Sequence, residues 1–238
     1  SLRAMTATLA TEPWRCFGWS ARGWSHPWRA FWRDHADWRG RTALEVGAGE
    51  HSSLAPLLVD RVQQVECSAH NAASLAAIEA RHRAWLPPAD SARIRYTVQD
   101  LRALQGQWDL IVLKSVLGGV HRVHDSTLAD VHASVRRLVD QNLAPGGMLV
   151  TLDNGCTALE PLWARFGARR NGWRFFGRGD LPPPDAVYGF GVLGAFSAAT
   201  RLGAMGRLID DALYVADLGL SPLTRRHAVL LHVYRNPA

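Results

Sequence analysis

Lysine is almost missing from this 238-residue chain: Lys114 is its only one, and arginine supplies nearly all the positive charge behind a net +6. The arginines are spread along the sequence without a dense basic tract, so no nucleic-acid partner is expected. Cysteine is scarce as well. Cys16, Cys67 and Cys156 are odd in number and far apart, which argues against a disulfide framework or a metal-spaced cluster and fits a reducing cytoplasm. No apolar run approaches membrane-spanning length, so no stable membrane insertion is expected. No basic-then-apolar leader follows Ser1–Ala4, which read as an expression scar ahead of Met5. Repeats and low-complexity tails are also lacking. What remains, 47% hydrophobic, suffices for one good core with an added lid or subdomain.

Tryptophan is the opposite case. Residues 12–39 hold six of them, Trp14, Trp19, Trp24, Trp28, Trp32 and Trp38. From Pro27 onward, Trp28, Phe31, Trp32 and His35 recur at helical spacing, Pro27 suits a first turn, and Gly40 ends the pattern. Residues 1–40 therefore read as an N-terminal helical lid or cap, and 41–238 as the main domain. There strands alternate with helices. Strands are predicted at Thr42–Val46, Val62–Cys67, Ile94–Val98, Asp109–Leu113 and Met148–Leu152, and helices at Ser53–Asp60, Ala72–Trp85 and Ser126–Asn142. This predicts an α/β, doubly wound, mostly parallel sheet with helices on both faces. Asp211–Asp217 and His227–Tyr234 read as two more strands, linked through Pro222 with no room for a long helix. They predict an antiparallel pair at the edge of a seven-stranded sheet. The Gly-, Pro- and aromatic-rich insert between, residues 157–207, is long enough to imply a purpose.

In an open parallel sheet, ligands lie beyond the carboxyl ends of the strands, near the reversal of strand order. Three candidate groups stand there. Gly47, Ala48 and Gly49 follow the first strand in "LEVGAGE", Glu66 and Cys67 end the second in "VECS", and Asp100 and Leu101 follow the third in "VQDL". Glycines let a ligand approach the backbone closely. A carboxylate about 20 residues further on is placed to accept from both ribose hydroxyls. Asp100 is placed for an exocyclic adenine amine, and Leu101 for the ring. Glu45 and Glu50 bracket the turn, and His51 stands where a third glycine would be, so a pyrophosphate is a poor ligand.

In order and spacing, five stretches resemble the motifs of class I S-adenosylmethionine-dependent methyltransferases across residues 42–153: "LEVGAGE", "VECS", "VQDL", "WDLIVLKSVLGGV" and "LAPGGMLVTLD". The resemblance implies a Rossmann-like methyltransferase fold and S-adenosylmethionine as cofactor. That cofactor carries a sulfonium and an ammonium and no phosphate, so a carboxylate such as Glu45 helps near its amino-acid end. The implied cofactor contacts are Glu45, Gly47, Ala48, Gly49, Glu66, Cys67, Asp100 and Leu101. Ser115, just past the fourth strand, either lines the cofactor or caps a helix. His51 departs from the family pattern and puts the tightness of the loop in question.

Methyl transfer is an in-line displacement, and a hydroxyl acceptor must lose its proton near the transition state. His121, in "GGVHR", is the candidate base, and Asp153 at the end of the fifth strand is a base or a substrate clamp. His35 and Trp32, on the tryptophan helix, are candidate substrate contacts. "LDN" at Asp153-Asn154 is similar to metal-dependent catechol-type enzymes, but Leu113-Lys114-Ser115 replaces their second aspartate, so no metal is expected. The fourth-strand loop lacks the signatures of base-amine and cytosine methylation, and no paired-glutamate loop marks a protein-arginine enzyme. A hydroxyl of a small molecule or glycan is the favoured acceptor. N-methylation of an amine, a non-catalytic S-adenosylmethionine-binding protein and a nicotinamide oxidoreductase stay open, as does a lipid contact by residues 187–199. The oligomeric state is not legible.

Overall fold

The computed structural model describes residues 13–18, 20–157, 159, 172–193 and 203–237. Ser1–Ala4, Trp19 and much of the 157–207 insert lie outside them, as do residues 194–199 of the lipid-contact stretch. One sheet organises the fold, in the order β3-β2-β1-β4-β5-β7-β6. Strands β1 (Gly40–Val46), β2 (Val62–Ala69), β3 (Ile94–Val98), β4 (Trp108–Lys114) and β5 (Leu143–Asn154) pair in parallel. The chain then adds β6 (Ala186–Phe190) and β7 (Val229–Arg235), and β7 runs antiparallel to both β5 and β6. The middle of β4, Leu110–Leu113, is fully buried on both faces, as a strand covered by helices on both sides must be.

Two cores form on the two faces of the sheet. On one, α1 (Pro13–Phe17), α2 (Ala21–Asp34) and α3 (Ala72–Trp85) cover Ala43, Val65, Leu110 and Val112. Trp24, Trp28, Phe31 and Trp32 face inward at helical spacing and are at most 2% exposed. Helix α2 begins at Ala21, a turn and a half ahead of the predicted Pro27, which it absorbs internally. A short turn, α4 (Pro88–Ser91), follows α3. On the other face, α5 (Leu117–Val120) and α6 (Leu128–Arg137) pack on Leu44, Ile111 and Leu149. Local chemistry sets the boundaries: Asn71 caps α3 by accepting from the Ser74 amide at 2.8 Å, and Thr127 and Asp130 form a reciprocal capping box on α6.

Three expectations need correction. Asp211–Asp217 is not a strand but part of α7 (Gly203–Leu220), whose Asp210, Tyr214 and Asp217 turn inward at helical spacing. The strand paired with β7 is instead Ala186–Phe190, inside the supposed insert. Ser53–Asp60 forms only a short turn, Ala55–Leu57, closed by the Leu57 and Leu58 amides on the Leu54 and Ala55 carbonyls and capped by Glu45, which accepts from the Leu54 and Ala55 amides.

Candidate functional site

The strand order reverses between β1 and β4, and a cavity of about 280 Å³ opens at their carboxyl ends. Its walls are Glu45, Gly47, Gly49, Glu50, His51, Ser52, Lys114, Ser115 and Trp173. Gly47 leaves β1 at φ 74°, and a Cβ there would lie 2.7 Å from Val116 Cγ2, so only glycine fits. Gly49 and Ser52 then exchange backbone hydrogen bonds at 2.7 and 3.0 Å, while the Ala48 amide donates to the Ser68 carbonyl at 2.8 Å. The loop is therefore closed tightly without a third glycine, with His51 exposed at its tip.

Glu45 is 2% exposed and accepts from the Ser53 hydroxyl at 2.6 Å and the Leu54 and Ala55 amides at 2.7 and 2.8 Å. Burial pushes its carboxyl above the usual range, against the pull of those three bonds. Cys67 lies beside it, its thiol pushed well above normal by burial and by the Glu45 charge. Glu66 accepts from Thr97 and Gln99 at 2.7 Å and from Arg95 at 3.2 Å. Burial raises its carboxyl, but those partners prevail and hold it below the ordinary value. Asp100 is exposed and caps the turn Leu101–Ala103, and Leu101 is buried in the second core. β2 runs on to Ala69, so Glu66 and Cys67 lie inside the strand and not at its end; Glu66 faces the end of β3 through Gln99, and Asp100 stands just beyond that end, outside the cavity walls.

Lys114 ends β4 with its amine 4.4 Å from the Trp24 ring centroid. Burial lowers it to about 7, although Glu45 and Asp153 pull the other way. Ser115 follows at φ 56°, rare outside glycine, and its hydroxyl accepts from Asn154 at 2.9 Å. Asp153 is 1% exposed; burial raises its pKa to about 7, while the Gly118 and Leu117 amides and the Lys114 charge draw it down.

The remaining candidates lie apart from the cavity. His121 turns Nε2 toward the Ser134 hydroxyl at 2.9 Å, its carbonyl accepts from Arg174, and burial lowers its pKa. Trp32 stacks under the Arg61 guanidinium at 4.5 Å, ahead of β2. His35 accepts from Arg235 at 3.0 Å, and Arg235 pairs with Met148, which lies opposite Leu110 in the first half of β4. Both therefore stand at the amino edge of the parallel strands, opposite the glycine turn. Among the described residues, no group of three His, Cys, Asp or Glu side chains could hold a metal ion, and no helix is long and apolar enough to cross a membrane.

The sequence reading missed Trp173 and gave Lys114 no role. Their signal lay in "LKSVLGG": a Cβ on Gly119 would meet the Trp173 ring at 2.6 Å, so the paired glycines make room for that wall.

No family model and no curated protein sequence matches the chain. Solved structures do. An N-methyltransferase, NodS, from Bradyrhizobium japonicum WM9, in complex with S-adenosylhomocysteine, matches with a TM-score of 0.54 at 14% identity, over 99% of this chain and 98% of that one. A geranyl diphosphate C-methyltransferase from Streptomyces coelicolor A3(2) matches with 0.54 at 15% identity, over 87% and 77% of the two chains. Magnesium protoporphyrin IX methyltransferase from Synechocystis PCC 6803 matches with 0.52 at 15% identity, over 68% and 69%. The chain has the class I methyltransferase fold. At these identities the likeness is one of architecture, and the named acceptors differ from one neighbour to the next.

Proposed function

We propose that the protein is an S-adenosylmethionine-dependent methyltransferase that methylates a hydroxyl of a small molecule or glycan. The observation that carries this reading is the cavity at the β1–β4 reversal, walled by the glycine turn with Glu45 and Glu50 bracketing it. A cationic cofactor without phosphates fits that chemistry, and Gly47, at φ 74° and packed against Val116, gives the turn a backbone path only glycine takes easily.

When bound, S-adenosylmethionine supplies an electrophilic methyl group on a positively charged sulfur. The chain's residues supply the rest. The turn Gly47–Gly49 receives the amino-acid end, with Glu45 fixing the loop behind it. Glu66 meets the ribose hydroxyls, and Asp100 and Leu101 the adenine, on the β2–β3 side. Trp173 and Ser115 bound the space left for the acceptor. The hydroxyl preference is supported by the loop after β4, "LKSVLGG", which lacks the signatures of base-amine and cytosine methylation.

Calorimetry with S-adenosylmethionine, S-adenosylhomocysteine and NAD tests the cofactor, and a screen of hydroxylated and amine acceptors reading S-adenosylhomocysteine release tests the reaction. Binding of the sulfonium compound and turnover of a hydroxyl acceptor support the reading. Turnover of amines alone would move it to N-methylation, binding without any turnover would make the chain a binding protein, and NAD binding alone would end it.

A further inference from the structure

We propose that the outer face of α7, with the turn that follows it, docks the protein on an anionic membrane surface. This inference is independent of the methyltransferase reading above.

The observation that carries it is a helix whose apolar face points outward. Met205, Leu208, Ala212 and Val215 recur at helical spacing on one side of α7, and all four are exposed. Leu208 is 70% exposed and Val215 65%, and the stripe runs on through Leu218 and Leu220 to Leu223, 81% exposed in the turn Ser221–Leu223. The polar residues face the other way. Asp210 meets the Ser20 hydroxyl, and the Tyr214 hydroxyl lies on His26 and Arg29 of α2. Asp217 accepts from the Val192 and Leu193 amides at 2.8 and 3.0 Å, and Asp211 pairs with Arg22 at 2.9 Å. A helix that packs through its carboxylates and leaves its aliphatic side chains in water offers apolar area to a partner.

Charge selects that partner. Each carboxylate of α7 is held by the protein, whereas Arg207, Arg225 and Arg226 stand exposed around the apolar stripe. A second copy would bring the same arginines against a face with no exposed acid to receive them, and a net charge of +6 on each copy opposes the approach. Anionic headgroups supply the missing charge, and the acyl boundary beneath them takes the leucines. The helix then lies in the plane of the interface and does not cross it.

The fold places this face on the edge that holds the cavity. Val229, at the start of β7, pairs with Asn154 at the end of β5. Leu223, Arg225 and Arg226, just before Val229, therefore stand near the carboxyl edge of the parallel strands. Asp210 reaches Ser20, close in the chain to Gly18, where a Cβ would meet the His51 carbonyl of the cavity loop at 2.9 Å. Docking through α7 keeps that edge near the bilayer.

Vesicle flotation tests the proposal. The protein should float with vesicles of phosphatidylcholine and phosphatidylglycerol in equal parts, far less with phosphatidylcholine alone, and less in about 0.5 M salt. Leu208→Glu combined with Val215→Glu, both at exposed positions, should lower partitioning by about tenfold or more while leaving the unfolding temperature unchanged. Leu223→Ser, outside the helix, should act in the same direction and keeps the test valid where two glutamates disturb α7. Arg225→Ala combined with Arg226→Ala should cost about tenfold, on the anionic vesicles only. Wild-type protein that does not float with anionic vesicles, or floats equally well with both kinds and in high salt, overturns the proposal. Partitioning unchanged by both the glutamate pair and Leu223→Ser overturns it too. A dimer in light scattering that Leu208→Glu dissociates, without vesicle binding, gives the face to a second copy instead and also overturns it.

Discussion

The Ser53 hydroxyl donates to the Glu45 carboxylate across 2.6 Å, fastening the loop after the glycine turn to the end of β1. With the Leu54 and Ala55 amides on the same carboxylate, a single buried side chain holds the floor of the cavity. Glu45→Gln turns an amide NH2 toward at least one of these donors. It should cost about 1–3 kcal/mol of unfolding free energy, measured by urea titration. S-adenosylmethionine affinity should fall with it as the loop loosens.

Gly47→Ala tests the approach to the turn. The added Cβ meets Val116 Cγ2 at 2.7 Å and must accept a φ of 74°. S-adenosylmethionine affinity, read by calorimetry, should drop at least tenfold. Adding Val116→Ala relieves the contact but not the left-handed backbone, which alone costs about 1–2 kcal/mol, so recovery should be partial.

Trp173 divides cofactor effects from acceptor effects. Its ring lies against Gly118 and Gly119, and the Arg174 amide donates to the Gly118 carbonyl at 3.0 Å. Trp173→Ala should raise the acceptor KM by about tenfold or more while changing S-adenosylmethionine affinity little. Gly119→Ala, which pushes the ring aside, should give the same pattern.

His82 sets an acid-sensitive contribution to stability. Burial, aided by the Arg81 charge, lowers its pKa to about 3, and Nδ1 lies 3.0 Å from the Tyr96 hydroxyl. The unfolded chain takes up this proton near pH 6.5, whereas the native state refuses it until about pH 3. Its contribution is therefore complete above pH 6.5 and shrinks as pH falls toward 3. The stability gap between wild type and His82→Gln should narrow over that range in chemical denaturation, and a constant gap would refute the linkage.

The parallel half of the fold was readable because each strand is an apolar run bounded by turn residues, as "WDLIVLK" and "GGMLVTLD" show. The C-terminal part was not. Within "DALYVAD", Leu213 and Val215 read as period two in a seven-residue window, while the helix runs for 18 residues through Gly206 and Gly219. β6 is five residues long, contains Gly189 and follows three prolines, so its pattern looked like a loop. At the site, glycines and strand-end carboxylates could be named from spacing, because topology fixes where strand ends go. Orientation could not. His121 and Ser134 meet only once α6 packs on the sheet, and Trp173 reaches the cavity through a backbone bond no spacing encodes.

A crystal structure of the protein with S-adenosylhomocysteine tests the central claim most directly. The expected result is the amino-acid end on the Gly47–Gly49 turn, the ribose hydroxyls on Glu66, and the sulfur facing the space between Lys114 and Trp173. The ligand bound elsewhere, or bound with its ribose away from Glu66, would contradict it.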